Sequence, residues 1–421
     1  MEHLKKNITV SSTYQLSLGM IALLIAFLPK MVVLGFILMF SSIIYGLKKK
    51  EIKFQLDAIL LSFALLYGAY LIGALFTNNA DAAGKYLEYK LSFILIPFLF
   101  CFRPKFQVNL SFPISGLSIG IILSSILGII KAISIYSKTH IVLTSFTSSN
   151  ICVDHPTYFA AMTSISIAGI WYLHKNKKRG FTGVWVLFCM VFFLCMLCLS
   201  YAMAAILFLI LVASWIIFKW VYSTIHKWVF ITLLISFPVL LFFTVTNITG
   251  FKDEITNSLE ALKSYVADPS KFIEGNDEVL SGDQVRLVMW TVTVKAWSKN
   301  PWGVGTGNVD ECLSRELKLI GQNELAKLGD NREIRYNPHN QYLQIGLEIG
   351  IMGLFVFIFG MISAILRGVL TKNWFLIVIV SCLLFNCLFE SMLQRQTGIV
   401  FFTFWICLLL VNSNQTHERS E

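Results

Sequence analysis

What this chain has least of is charge. Only 14% of its 421 residues are Asp, Glu, Lys or Arg, while 56% are hydrophobic. One water-soluble core cannot enclose so much apolar side chain, which excludes a soluble globular protein and leaves lipid to cover the remainder. Metal-type cysteine spacing is also missing. Of the nine cysteines most fall inside apolar runs, as Cys189, Cys195 and Cys198 do, where a thiol behaves as a small apolar group. Only Cys152 and Cys312 fall in outward loops, and spacing alone gives no support for a disulfide between them. The first apolar run lacks a small-x-small exit and continues directly into a second, so it reads as an anchor that stays and not as a cleavable leader.

What is present is a succession of apolar runs long enough to cross a hydrocarbon layer, roughly 17–25 residues as helix. Twelve are expected, at about 14–28, 32–47, 55–76, 88–102, 113–135, 157–174, 182–199, 201–219, 228–246, 343–366, 374–389 and 398–412. Lysine and arginine collect at alternate ends of these runs: Lys5-Lys6, Lys48-Lys49-Lys50, Arg103/Lys105, Lys175-Lys177-Lys178-Arg179, Lys219/Lys227, Arg367/Lys372 and Arg419. Short basic loops stay cytoplasmic, which places both termini inside and the stretch 247–347 outside. The net charge of +10 therefore belongs to the inner rim, and nucleic acid is not an expected partner. The expected fold is all-α integral membrane, with about a dozen transmembrane helices and one large, mainly helical outer loop between the ninth and tenth. Its units are helices one to nine over 1–246, the loop over 247–342, the last three helices over 343–412 and a cytoplasmic tail over 413–421.

Three stretches of the outer loop carry polar chemistry. In 284–298, Arg286, Trp290, Thr293 and Trp297 recur at helical spacing and share one face. Next comes Asn300-Pro301-Trp302-Gly303-Val304-Gly305-Thr306-Gly307-Asn308, whose glycines allow backbone N–H groups to converge on an anion such as a diphosphate. The bland alternative is that the tryptophans mark the membrane interface and the glycines merely turn the chain. The third stretch runs from Arg332 and Arg335 through Pro338-His339-Asn340 to Leu343. Pro338 fixes the approach, so His339 belongs at the outer mouth of the tenth helix. Imidazole suits a group that must collect a proton from a hydroxyl near neutral pH; a capping or packing histidine is the alternative. Gly346, Gly350 and Gly353 are expected to serve close helix packing.

Together, Arg286-x-x-x-Trp290, Asn300-Pro301-x-Gly303-x-Gly305, and His339-Asn340-x-x-Leu343 with Gly350-x-x-Gly353-Leu354 resemble the O-antigen ligase and O-antigen polymerase superfamily. Asp154-His155-Pro156-x-Tyr158 and Glu390-Ser-Met-Leu-Gln-Arg395-Gln396-x-Gly398 are similar to further elements of that family. The resemblance covers roughly residues 140–402. It implies a multi-pass protein of the bacterial inner membrane whose site faces the periplasm, which makes the large loop periplasmic. It also implies transfer of a glycan from an undecaprenyl diphosphate carrier to a lipid A-core or other glycan acceptor. On that resemblance His339 is the base that deprotonates the acceptor hydroxyl, with inversion at the anomeric carbon. Arg286 neutralises the departing diphosphate, a task that suits a guanidinium because it stays charged and donates two parallel hydrogen bonds. Trp290, Gly303, Gly305, Asn340, His155, Tyr158 and Arg395 fall in the matching motifs and are carried over as substrate-binding candidates.

The chain departs from the family at one point. A Ser-Arg-like pair is expected near the outer junction of the seventh and eighth spans, whereas the sequence here reads Leu199-Ser200-Tyr201-Ala202-Met203. A thioether supplies neither charge nor strong hydrogen bonds to phosphate. Either Arg332, Arg335 or Arg395 takes that role, or the chain is impaired in transfer, and impairment is the preferred expectation. No cofactor is expected, and no metal: the first outer loop is little more than Pro29-Lys30-Met31, and Asp81, Glu88 and Asp154 have no cation-cage spacing. Ligase, polymerase and protein O-oligosaccharyltransferase share these motifs and differ in acceptor, with ligase ranked first. A multi-span transporter or flippase ranks below them. It predicts internal repeats and mid-span ionisable groups, whereas Asp57, Lys131, Glu348 and Glu390 lie near span ends.

Overall fold

The computed structural model describes residues 9–140, 155–178, 180–181, 183–200, 202–224, 249–268, 282–323, 325–326 and 337–417. Helix α1 (Val10–Phe27) opens on a capping box in which Thr9 and Ser12 satisfy each other's backbone N–H groups. A single 3₁₀ turn at Pro29–Met31 returns the chain into α2 (Val32–Lys48). Helices α3 (Ala58–Ala74), α4 (Ala80–Lys90), α5 (Ser92–Phe100), α6 (Ser111–Thr139), α7 (Pro156–Lys175), α8 (Val184–Leu199) and α9 (Met203–Thr224) follow. The segment after α9 supplies α10 (Thr249–Ala267), α11 (Gly282–Lys299) and α12 (Val309–Leu319), followed by α13 (Gln341–Leu370), α14 (Trp374–Asn386) and α15 (Gln396–His417).

Among the described residues five helical stretches are long and apolar enough to cross a membrane: Val10–Phe27, Pro29–Lys48, Ser111–Thr139, Gln341–Leu370 and Gln396–Ser413. Shorter apolar helices occupy Ala58–Ala74, Val184–Leu199, Met203–Trp215 and Trp374–Asn386. This is a helical membrane protein. The run expected at 228–246 lies outside the described residues. The run expected at 88–102 is two helices, α4 and α5, that meet at a turn on Leu91. Helix α7 is less apolar than its neighbours because protein, not lipid, surrounds it: Thr163, Ser164 and Ser166 are buried, and Ser166 shares a 2.7 Å hydrogen bond with Ser118 of α6.

Beside the helices the described residues form one small sheet. Strands β1 (Ile52–Phe54) and β2 (Phe102–Pro104) pair antiparallel, with Ile52 opposite Pro104. The ladder ties together the loops that follow α2 and α5. Beside it Arg103 donates to Asp57 at 2.8 Å, and Asp57 also caps α3 through the Ile59 N–H. Elsewhere the bundle is held by small residues that let backbones touch. A Cβ on Gly116 of α6 would fall 2.1 Å from the carbonyl oxygen of Gly19 in α1, so this contact demands glycine.

Helix α13 contains the break that organises its own N-terminal end. Gly350 lies inside it at φ 75° and ψ −176°, a conformation closed to side-chain-bearing residues. The interruption frees helix groups, and the loop before α12 takes them over. Val304 N donates to Leu347 O at 2.8 Å, Gly305 N to Glu348 O at 3.1 Å, and Ile351 N to Pro301 O at 3.0 Å. The fit is close: a Cβ on Gly350 would meet the Trp302 backbone at 2.4 Å, and one on Gly303 would meet Gly350 N at 2.7 Å. Gly346 admits the Trp297 indole, so packing is what Gly346 and Gly350 serve here. The same loop is stitched to α3 and α4 by Thr306 to the Tyr70 carbonyl (2.7 Å), Thr77 to Asn308 (2.7 Å) and Tyr86 to Asp310 (3.2 Å).

Candidate functional site

His339 stands one residue before the N-cap of α13. Its backbone is left-handed, at φ 47°, an uncommon state for a residue with a side chain. That conformation is held by the Asn337 side chain, which accepts the His339 N–H at 2.8 Å, and by Asn340, whose carboxamide oxygen accepts the N–H groups of Tyr342 and Leu343. The Asn340 amide also donates to the Leu388 carbonyl at 3.0 Å, which fastens the start of α13 to the end of α14. The local sequence Asn-Pro-His-Asn therefore does two jobs: the asparagines satisfy backbone donors, and His339 between them is left partly exposed.

The His339 imidazole meets a partner that sequence reasoning did not assign to the site. Its Nδ1 lies 3.1 Å from Glu390 Oε2, with the histidine side chain 34% exposed and the glutamate side chain 10% exposed. A carboxylate only accepts, so Nδ1 carries the proton, and it is in the neutral form of the ring that Nε2 keeps a lone pair. Glu390 Oε1 in turn accepts the Ser391 N–H at 3.1 Å. Burial pushes the Glu390 carboxyl up, but the hydrogen bond and charge of His339, the charge of His155 and the Ser391 N–H together hold it below the ordinary value. Glu390 lies in a motif quoted for the family resemblance, which was the available signal. What sequence could not show is that residues 51 apart meet.

Two expected residues, His155 and Tyr158, lie close to this pair. His155 caps α7 through the Thr157 N–H and stacks edge-on against Tyr158, and the Tyr158 hydroxyl donates to the Ser391 carbonyl at 3.3 Å. The mouth of α7 thus meets the turn between α14 and α15. Met203 is the first residue of α9, after a corner in which Ser200 bonds to the Leu197 carbonyl. That corner packs on the mouth of α7, since Ala160 clusters with Leu197 and Ala205. Arg395 is exposed at the entry to α15.

Other expected residues make no hydrogen bond or ion pair with the imidazole among the described residues, or lie outside those residues. Arg286 is on the exposed face of α11 and pairs with Asp283 of the same helix at 3.0 Å; no hydrogen bond or ion pair joins it to His339 among the described residues. The shared face expected on α11 is offset from the observed one. Met289, Val292, Thr293 and Ala296 are buried, while Trp290 and Trp297 are half-buried. The N–H groups of Gly303 and Gly305, expected to face an anion, donate to the carbonyls of Asn300 and Glu348. The first closes a turn within the loop, and the second is spent on the break in α13. Arg332 and Arg335 lie outside the described residues, as does Cys152, while Cys312 is a buried free thiol in the core formed by α11 and α12.

A histidine whose ring is oriented by a buried carboxylate, at one end of a helical membrane bundle, defines a site able to take a proton from a hydroxyl. Residues 185–358 match the O-Antigen ligase family model, a segment running from α8 into α13. Over this segment the chain is O-antigen ligase-like, as the motifs imply. No curated protein matches the chain significantly.

Proposed function

We propose that this protein moves a glycan from undecaprenyl diphosphate to an acceptor hydroxyl at the periplasmic face of a bacterial inner membrane, with a lipid A-core sugar as the first-ranked acceptor. The observation that carries this reading is the His339–Glu390 pair. Glu390 accepts from Nδ1 and fixes the ring, and Nε2 takes the acceptor proton. The acceptor oxygen then forms its bond to the anomeric carbon as the bond to the carrier phosphate breaks. The electron pair leaves on the diphosphate and the configuration inverts.

Charge on the leaving diphosphate calls for cations. Arg286 is the first candidate and would exchange Asp283 for phosphate oxygens; Arg395, Arg332 and Arg335 are the others. The outer placement of the pair draws support from α13 itself, whose last turn carries Arg367 at the end away from His339 and thus belongs on the cytoplasmic side.

The experiment is transfer measured with lipid-linked glycan and acceptor. His339→Ala is expected to lower turnover by about 10²–10⁴-fold, the usual worth of a general base, with unchanged protein in the membrane. Substantial retained turnover would remove His339 as the base. A disruption strain resolves the acceptor. Loss of all polymer-bearing lipopolysaccharide with glycan accumulating on its carrier marks a ligase, a single attached repeat marks a polymerase, and intact lipopolysaccharide with lost glycoprotein marks the protein-directed enzyme.

A further inference from the structure

Below the His339–Glu390 pair lies a second polar cluster that the proposed chemistry does not use. Lys90, at the end of α4, is 0% exposed, and Glu348, two turns into α13, is 1% exposed. The sequence placed Glu348 near a span end; it is buried inside the bundle beside the Gly350 break. The two charged groups approach only to 4.0 Å, and the side chain of Gln394 fills the space between them. Its Oε1 accepts from Lys90 Nζ at 2.9 Å and its Nε2 donates to Glu348 Oε2 at 2.9 Å. An amide has one accepting end and one donating end, so a cation on one side and a carboxylate on the other permit a single orientation. Gln344 adds a donor to Glu348 at 3.1 Å. Lys90 also lies over the rings of Tyr70 and Tyr86, 4.4 and 5.0 Å from their centres.

Gln394 belongs to the same short turn, between α14 and α15, that carries Glu390. Within the turn Met392 N donates to Glu390 O at 2.9 Å and Gln394 N to Ser391 O at 3.1 Å. Outside it, Leu393 N donates to the buried Gln341 side chain at 2.6 Å. Gly398 lets the turn settle, because a Cβ there would fall 2.0 Å from the Met392 carbonyl oxygen. The turn therefore has little freedom between its Gln394 end and its Glu390 end. Well-packed apolar residues commonly match a buried ion pair in stability, so an ionic cluster here is better explained by the single geometry it imposes.

We infer that Lys90, Gln394 and Glu348 form a positioning clamp that holds the turn, and with it the Glu390 carboxylate, against His339; this rests on the reading of His339 and Glu390 as base and partner. None of the three is a catalytic residue, since they act through Glu390.

The test uses the purified full-length protein and two readouts. Infrared difference titration follows the Glu390 carboxyl, assigned by its disappearance in Glu390→Gln, and needs no substrate. The groups that face Glu390 and set its titration are His339 and His155. In Gln394→Leu the carboxyl should move up in pH, towards its position in His339→Ala, and turnover should fall about 10–100-fold with the donor KM little changed. A purely structural role predicts a lower yield of folded protein, with titration and turnover per folded molecule unchanged, and that result overturns the clamp. If Gln394→Leu does not fold, Lys90→Met combined with Glu348→Gln removes both charges together and leaves no orphaned ion; the same shift is expected. Should the shift occur while His339→Ala retains turnover, the clamp stands and the reading of His339 as the base falls.

Discussion

His339 shows how a residue becomes a candidate base through its backbone. Its left-handed conformation is sustained by the Asn337 and Asn340 side chains, and it places the ring against Glu390. Glu390→Gln keeps the shape of the partner and changes what it offers Nδ1, so transfer should drop about 10–10³-fold with donor KM nearly unchanged. Glu390 also links folding to pH. Its folded pKa is depressed, so the ionised carboxyl adds stability above the unfolded value of about 4.3, and that gain is lost as pH falls through the lower folded value. In thermal melts of solubilised protein, wild type should exceed Glu390→Gln at neutral pH and converge with it in acid; a gap independent of pH contradicts the pairing. At Met203 the expectation of impairment has a direct check. Met203→Arg should raise transfer roughly tenfold, the effect of one charge-assisted hydrogen bond, and no gain would show that another cation serves the diphosphate. The histidine was legible because Pro-His-Asn before an apolar run has local meaning. Lys90 and Gln394 were not, because a buried charge is recognisable only through partners that lie hundreds of residues away.

Helix α13 makes the corresponding point for an element. Its break at Gly350 is completed by three backbone hydrogen bonds from the loop at 301–305, so the helix and the loop form one structure. Alanine at Gly350 or Gly303 should destabilise the protein by at least about 1–3 kcal/mol through backbone strain, with the loss visible as a lower melting temperature; a neutral Gly350→Ala would refute the splice. The glycine-rich turn was visible in the sequence as a turn. Its partner was not, because a backbone N–H carries no signature of what will accept it, and a run of glycines fits an anion and a broken helix equally. Similarly, Trp297 was legible as one of a helical series, while its seat against Gly346 depends on α11 lying along α13.

For the whole molecule, composition settled the solvent. A chain with so few charges had to be a helical bundle in lipid, and the long apolar helices follow that expectation. Periodicity located the five helices that are long and apolar enough to cross a membrane among the described residues, but missed the division at Leu91 and the small β1–β2 ladder, both set by tertiary contact. The bundle brings the mouths of α7 and α13 and the α14–α15 turn to one end, where His155, Tyr158, His339 and Glu390 lie together. The most direct measurement of the central claim is single-turnover transfer by purified wild type, His339→Ala and Glu390→Gln, given lipid-linked glycan and excess acceptor. Loss of transfer in the first variant and partial loss in the second, with donor still bound by both, is the result expected here. Undiminished transfer by His339→Ala would contradict it.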